Sequence, residues 1–460
     1  MQTTLPAHVT AQRPVALIQH SRQGSLRRTL AVFGAGGDLV FALAAAALLV
    51  LAVPPARSGE PTDDQAPPSL EETLEAGESS VESPRRQLVS WNEFDGPFTT
   101  LRFGGGLLYE IAGFSQDDES QQQFDLSTED KVRDFRFLFK GRLKTERPVT
   151  WTCGVMYDGP SDSWLVRETG VMVAVPELWG HLFIGRTKEG FSLNKVMTGY
   201  SGWTLERATI IDATIPILAD GIKWLGYVPE RGLLWNVGWY GDWLSEDESF
   251  SSYDHQFVAR VAWLPIVSET EGRLLHLGVN FRQGEPDDGQ LQVRSRPEAF
   301  PAPYFVDTGR FEADASQITA LEAYYRSGPY LLGSEYFYEA VDSPATGDPA
   351  FHGGDVVFTW LITGETRAYN TLGGYFKSVS PARTVFEGGP GAWELVARVS
   401  YIDLDNGTLR GGTFWRFTPM VNWYLSDNVR FELAYGYGTL DRFDLEGTTQ
   451  FFQSRIQLLF

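Results

Sequence analysis

Short segments in which apolar and polar residues alternate cover most of the chain from Trp91 to its last residue. Residues 132–144 show the pattern clearly, because their aromatic and basic side chains separate when successive residues point to opposite faces. The two faces carry Phe135, Phe137 and Phe139 on one side and Arg136, Lys140 and Arg142 on the other. A helix would spread the three phenylalanines around more than half of its circumference. The period of two therefore predicts a β-strand with an aromatic face and a cationic face.

The same alternation predicts a series of strands separated by acidic or Gly-, Pro-, Asn- and Asp-rich turns. The strong candidates are residues 101–111, 133–144, 149–157, 180–187, 232–243, 256–265, 274–281, 318–326, 330–340, 356–363, 372–379, 393–402, 413–424, 429–437 and 449–460, and weaker ones are 172–175 and 223–228. We estimate about 16 strands. Longer acidic connections at 245–254, 283–315 and 342–354 alternate with tight turns, and no repeat of fixed length is present.

The first 90 residues differ in composition from the rest of the chain and are predicted to precede the folded domain. Residues 1–58 have the layout of an export signal peptide, with Arg22, Arg27 and Arg28 ahead of an apolar run at 39–53. That run is short for a membrane-spanning helix, which needs about 20 apolar residues. An uncleaved inner-membrane anchor remains the alternative. Residues 59–90 are acidic and rich in Pro and Ser, which predicts a disordered periplasmic linker.

Residues 91–460 are expected to form one all-β domain, a transmembrane antiparallel β-barrel of about 16 strands. No further segment is apolar enough for a spanning helix, and only helices and closed barrels satisfy the backbone in lipid. The mean hydropathy of −0.20 is compatible with a barrel, because polar lumen residues alternate with apolar outer ones. Aromatic residues make up 13%, as expected for girdles at a bilayer. The alternating last strand ends in Phe460, which is typical of chains that the barrel assembly machinery inserts into the outer membrane of Gram-negative-type bacteria.

Several segments resemble the family of phosphate-selective porins O and P. The most specific block is GAWELVARVSYIDLDNGTLRGG at 391–412, followed by NWYLSDNVRFEL at 422–433. RFGGGLLYE at 102–110, RFLFKGRL at 136–143, GRTKEGFSLNK at 185–195 and LERA at 205–208 are also similar. The resemblance implies a homotrimeric 16-stranded outer-membrane porin rather than an enzyme. Its passive channel would carry small anions, phosphate or polyphosphate, through a lumen lined by Lys and Arg.

An anion channel needs positive side chains in the lumen, where low-dielectric walls focus their field. A base on the lipid face costs about 2–4 kcal/mol at mid-bilayer, which favours inward orientation of strand bases. The candidate anion-path residues, from alternation or from family-like blocks, are Arg102, Arg136, Lys140, Arg142, Arg186, Lys188, Arg207 and Arg398. The alternative for each base is a purely structural pair with a lumen acid such as Glu110, Asp134 or Glu394.

The formal net charge of −21 limits these expectations. It argues against nucleic-acid binding, which needs a basic surface. Acidic loops are expected either to bridge lipopolysaccharide through divalent ions or to repel anions at the channel mouth. A general or cation-preferring diffusion porin and a closed structural or adhesive barrel therefore remain alternatives. The histidines and the single cysteine show no ligand spacing, so we expect no cofactor, no metal and no catalytic residue.

Overall fold

The computed structural model describes residues 92–158, 163–241 and 253–460. The predicted signal peptide at 1–58 and the predicted linker at 59–90 lie outside these residues. Within them, 16 strands pair with their neighbours in chain order, all antiparallel, and the last strand pairs with the first. The described strands thus close into a barrel, which confirms the predicted fold class. No helix in the described part of the chain is long and apolar enough to cross a membrane.

The barrel strands have the following bounds. They are β1 (Thr100–Gln116), β2 (Glu129–Leu143), β3 (Val149–Asp158), β4 in two segments (Ser163–Val166 and Thr169–Val175), β5 (Gly180–Thr187), β6 (Ala219–Val228), β7 (Leu233–Gly241), β8 (Tyr253–Ser268), β9 (Arg273–Pro286), β10 (Ala315–Ser327), β11 (Tyr330–Asp342), β12 (Ala350–Leu361), β13 (Ala392–Asn406), β14 (Leu409–Tyr424), β15 (Val429–Arg442) and β16 (Leu445–Leu459). Both segments of β4 pair with β3, so they form one interrupted strand.

Side chains alternate between an apolar outer face and a mostly polar inner face. In β10, Leu321 is 54% exposed, whereas its neighbour Glu322 is 3% exposed. The aromatic face of residues 132–144 lies outside, where Phe137 stacks on Trp164 with ring centroids 5.9 Å apart. The terminal Phe460 ring packs against Phe137 at 6.0 Å. An apolar outer face is what a barrel needs in lipid, since the bilayer offers no partner for polar groups.

One predicted strand is wrong. Residues 372–379 do not join the barrel but lie in the connection between β12 and β13. There a small hairpin pairs Tyr369–Asn370 with Tyr375–Phe376. The alternation misled the prediction because the apolar residues of this segment are buried inside the barrel rather than facing lipid. The first segment of β4 was not predicted, because its 4 residues are too few to show a clear alternation.

Three long connections enter the barrel interior. Loop A (188–218) contains the short helices α1 (Leu193–Val196) and α2 (Thr209–Thr214). Loop B (287–314) leaves the barrel at the same end, as the order of the strands shows. Loop C (362–391) starts at the opposite end, where the other turns are short. The predicted division into long loops at one end and short turns at the other therefore fails at loop C.

Apolar packing holds the three loops against the inner wall. Ile210 and Ile211 of α2 are fully buried in one cluster with Phe305 of loop B and Phe414 of β14. A second cluster joins Trp203 of loop A to loop C and to the wall of β7–β15. A barrel interior normally carries polar residues. Here the apolar residues of the inner wall are those that the loops cover.

Candidate functional site

Many basic side chains of the interior are neutralised by buried ion pairs. The pair Arg186–Asp220 has an Nε–Oδ1 distance of 2.8 Å, and both side chains are almost completely buried. Arg260 and Arg282 form comparable pairs at 2.8 Å with Glu322 and Glu189 respectively. The opposite charges of such pairs cancel at short range and leave little charge for a passing ion. Arg186, which was predicted to line the anion path, is therefore held in a buried ion pair with Asp220.

Loop A carries two bases whose hydrogen bonds go to carbonyl groups. Lys188 Nζ donates to the carbonyl oxygen of Met197 at 2.6 Å, and Arg207 Nη2 donates to the same oxygen at 3.0 Å. Arg207 Nε also donates to the carbonyl of Asn194 at 3.0 Å. Both side chains are half-buried. Backbone carbonyls carry only partial charges, so these hydrogen bonds do not neutralise the two bases.

The electrostatics of Lys188 show that positive charge is concentrated here. Burial and, next, the Arg207 guanidinium hold the pKa of Lys188 well below its ordinary value. Arg167 and Arg136 act in the same direction, and Glu168 alone among the main neighbours opposes them. Four bases thus lie close enough together to repel one another. A negatively charged solute would relieve this repulsion.

Arg136 places a wall charge next to loop A. Its guanidinium lies over the ring of Tyr200 in loop A, 4.7 Å from the centroid, and its Nε donates to Asp134 Oδ1 at 2.8 Å. We call Arg136, Lys188 and Arg207 the basic cluster. Three of the eight predicted residues are therefore brought together, although Arg136 also has the acid partner that the structural alternative foresaw.

Lys195 on α1 is the third base of loop A. Its Nζ lies 3.2 Å from Asp212 Oδ1, and its side chain is buried while that of Asp212 is about one-third exposed. Burial lowers the pKa of Lys195 to about 8, although Asp212 opposes this effect. Lys195 therefore changes charge within the range of pH that a channel recording can cover.

The other predicted residues lie apart from the basic cluster. Arg398 donates to Thr204 Oγ1 at 2.8 Å and pairs with Glu298 of loop B, so it ties two loops to the wall. Arg102 and Lys140 lie opposite each other on β1 and β2, near the end where loop C enters. Arg102 Nε donates to a nearby carboxylate, Glu93, at 2.8 Å. Arg142 continues this row to the exposed end of β2.

Sequence reasoning missed a second group of bases, in loop B. The guanidinium carbons of Arg294 and Arg296 lie 4.3 and 4.8 Å from the ring centroid of Tyr304. Arg133 of β2 lies 4.4 Å from the centroid of Phe300 in the same loop. Stacking on rings orders guanidinium groups without itself using their N–H donors. The signal was present as two arginines shortly before an aromatic run, within what looked like an ordinary acidic loop.

The closed barrel with apolar outer face, inward loops and charged interior defines an outer-membrane protein of the porin class. The chain belongs to the family of phosphate-selective porins O and P, whose model matches residues 154–460. This confirms the resemblance noted in the sequence. Family and fold together place the protein in the bacterial outer membrane and point to a channel rather than an enzyme.

Individual relatives are distant. Porin O of Pseudomonas aeruginosa is 25% identical over 228 residues, which cover 43% of this chain and 50% of that protein. An uncharacterized protein of Caulobacter vibrioides is 28% identical over 181 residues, covering 38% of this chain and 36% of its own length. The chain thus spans half or less of the curated relatives it matches.

Solved structures share the fold. OmpT of Vibrio cholerae superposes with a TM-score of 0.51 at 13% identity, covering 80% of this chain and all of that one. The channel DcaP of Acinetobacter baumannii also gives 0.51, at 10% identity, with 80% of this chain and 99% of that chain covered. At such identities the likeness concerns the barrel alone.

Proposed function

We propose that this protein is a passive channel for small anions, with phosphate or polyphosphate as its preferred solutes. The observation that carries the proposal is the basic cluster in loop A. Lys188 and Arg207 are basic, half-buried and hydrogen-bonded to one carbonyl oxygen, and Arg136 faces them from the wall. Bases held this way favour an anion over a cation at the narrow part of a channel.

Further bases extend the path on both sides of the cluster. Arg294 and Arg296 lie in loop B, which belongs to the same end of the barrel as loop A. Arg102 and Lys140 lie towards the end of the barrel where loop C enters. An anion would pass from one group of bases to the next, bound strongly enough to enter and weakly enough to leave. The remaining predicted residues, Arg142, Arg186 and Arg398, would support the path from its rim and walls.

The net acidity of the chain is compatible with this proposal. Interior acids such as Asp220 and Glu189 are neutralised by arginines at close range. Other acids, including Glu269 and Glu271, are exposed at turns, where salt screens them over about 8–10 Å. We therefore expect the selectivity of the channel to depend on the charges beside the path rather than on the total charge of the chain.

Three partners belong to the proposal. The chain is expected to form a homotrimer, as one solved form of the OmpT barrel is a trimer. Acidic loops would bind divalent ions shared with lipopolysaccharide. The terminal Phe460, which packs in an outer aromatic group, would be the residue that the barrel assembly machinery recognises.

Block of the chloride current by phosphate tests whether the channel prefers phosphate. The purified protein is inserted into planar bilayers in KCl, and phosphate is added while the conductance is followed, with nitrate as the control anion. We expect phosphate to reduce the chloride current in a saturable manner and nitrate to have little effect. Equal, weak effects of both anions would reject phosphate preference.

A closed structural barrel is the second candidate, and the packed interior favours it. All three loops are anchored to the wall, and large residues such as Trp203 and Arg260 are fully buried. Liposome swelling separates the candidates, because an open channel admits small sugars such as arabinose and a closed barrel does not. Swelling comparable to that of protein-free liposomes would support the closed barrel.

A further inference from the structure

Glu206 of loop A lies between two arginines of the barrel wall. It forms a bidentate pair with Arg133 of β2, with Nε–Oε1 and Nη2–Oε2 distances of 2.7 and 3.0 Å. Arg455 of β16 donates to the same carboxylate from the other side. Arg455 also pairs with Glu110, directly opposite it on β1. Among the described residues, Glu206 is the one acid that forms an ion pair with Arg133.

The carboxylate of Glu206 is ionised over the whole physiological range of pH. Burial alone would raise its pKa, but Arg133 and Arg455 outweigh burial and lower the pKa of Glu206 to about 2. Its neighbour in sequence, Arg207, belongs to the basic cluster. A fixed negative charge therefore lies beside the bases on which the proposed anion path depends.

The geometry of the Arg133–Glu206 pair is that of an oxyanion on a guanidinium fork. Two parallel N–H···O bonds are how arginine binds a carboxylate or a phosphate. Glu206 thus occupies donors that a permeating oxyanion would otherwise use. Arg133 is also partly accessible, since its side chain is 26% exposed, whereas that of Glu206 is 9% exposed. The Arg398–Glu298 pair, by contrast, is about 1% exposed on both sides.

We propose that Glu206 is the specificity-determining residue of the channel, acting as an internal competitor that limits its preference for anions. The inference rests on the proposed function, because it assigns a role at the same path. While Glu206 occupies Arg133, the Nε–Nη2 edge of that guanidinium adds no free donors to the bases of the path. Without its carboxylate, Arg133 becomes an additional site for phosphate or a carboxylate-bearing solute, lying against the ring of Phe300.

Replacement of Glu206 gives a gain of function that can be measured. Full-length protein and its variants are compared in planar bilayers under a KCl gradient. Glu206→Gln is expected to raise the chloride-to-potassium permeability ratio several-fold, whereas Glu206→Asp keeps the charge and stays near the parent value. Glu177→Gln removes an exposed acid that pairs with Arg147 at a turn, and serves as the control for charge removal alone.

A permeability ratio for Glu206→Gln no higher than that for Glu177→Gln would overturn the proposal. The comparison holds whatever the selectivity of the parent, so a cation-selective parent would reject the proposed function without deciding this inference. Inorganic phosphate should also block the KCl current of Glu206→Gln at several-fold lower concentration than that of the parent. Unchanged block would contradict the role of Arg133 as an oxyanion site.

A second variant covers a failure of Glu206→Gln to fold. Arg133→Gln leaves Glu206 paired with Arg455 and removes one positive charge from the path. The chloride-to-potassium ratio should then fall several-fold below that of the parent. A heat-modifiable band on gels identifies folded barrel in each preparation, and an unchanged ratio in folded Arg133→Gln would also overturn the proposal.

Discussion

Arg367 of loop C donates a hydrogen bond from Nη1 to the backbone carbonyl of Ser201 in loop A, over 3.0 Å. The two loops enter the barrel from opposite ends, so this contact joins them inside the lumen. The same guanidinium forms an ion pair with Glu394 of β13 at 2.7 Å. Loop A, which carries Lys188 and Arg207 of the basic cluster, is therefore held by loop C as well as by its own packing against the wall.

Loss of the Arg367 guanidinium is expected to destabilise the barrel. Arg367→Met leaves the fully buried Glu394 without its cationic partner, which costs about 3–5 kcal/mol for a buried pair. Asn422 and Tyr424 still donate to that carboxylate. Urea unfolding of protein folded in lipid vesicles, followed by tryptophan fluorescence, measures the change.

The matched control for this experiment is Arg410→Met. Arg410 pairs with Asp444 at an exposed hairpin, where an ion pair contributes about 0–1 kcal/mol. Equal stability of the two variants would show that Arg367 does not anchor loop C.

Removal of charge from loop A tests whether the basic cluster makes the channel prefer anions. The double variant Lys188→Gln and Arg207→Gln keeps side chains that can still donate to the Met197 carbonyl but carries no charge. We expect a several-fold lower chloride-to-potassium permeability ratio in bilayer recordings. Arg147→Gln, an exposed base at a turn, is the control for overall charge, and an equal effect of both changes would refute a local role.

The charge of Lys195 predicts that the chloride selectivity of the channel depends on pH. A lysine with its pKa lowered to about 8 loses its proton as the pH rises through 8, instead of above 10. Chloride selectivity should therefore decline between pH 7 and pH 9, a range in which chloride itself does not titrate. Lys195→Arg keeps its charge throughout and should show a weaker decline. An identical pH profile for parent and variant would exclude Lys195 as a contributor.

The terminal residue closes the barrel and is expected to matter for assembly. Gly105 N donates to Phe460 O at 2.9 Å, and Phe460 N donates to Gly105 O at 3.2 Å. Its ring packs against Phe103 and Phe137 on the outer face. Deletion of Phe460 should reduce the amount of folded protein in the outer membrane of cells, measured on gels as the heat-modifiable form. The substitution Phe98→Ala, which removes an exposed phenylalanine elsewhere, is the control, and equal yields would contradict the prediction.

The barrel itself could be predicted from the sequence because its physical requirement is local. Each strand must show lipid an apolar face, and this leaves alternation such as Phe135, Phe137 and Phe139 along the chain. Strand ends were less certain. β1 and β9 extend beyond the predicted limits, where the alternation weakens towards the rim.

The interior was harder to predict, because it depends on contacts between distant segments. Nothing near residues 372–379 indicates that they pack beside Trp203 rather than in lipid. The partners of Arg398 and Arg186 lie 100 and 34 residues away, so their pairing is invisible in a local pattern. Inward orientation of Arg136 followed from alternation, whereas its closeness to Lys188 and Arg207 depended on the path of loop A.

The zero-current potential of the parent channel under a KCl gradient tests the central claim most directly. It compares chloride with potassium in one measurement and requires no knowledge of the natural solute. The basic cluster predicts a potential whose sign corresponds to chloride being more permeant than potassium. A potential near zero or of the opposite sign would contradict an anion-preferring channel.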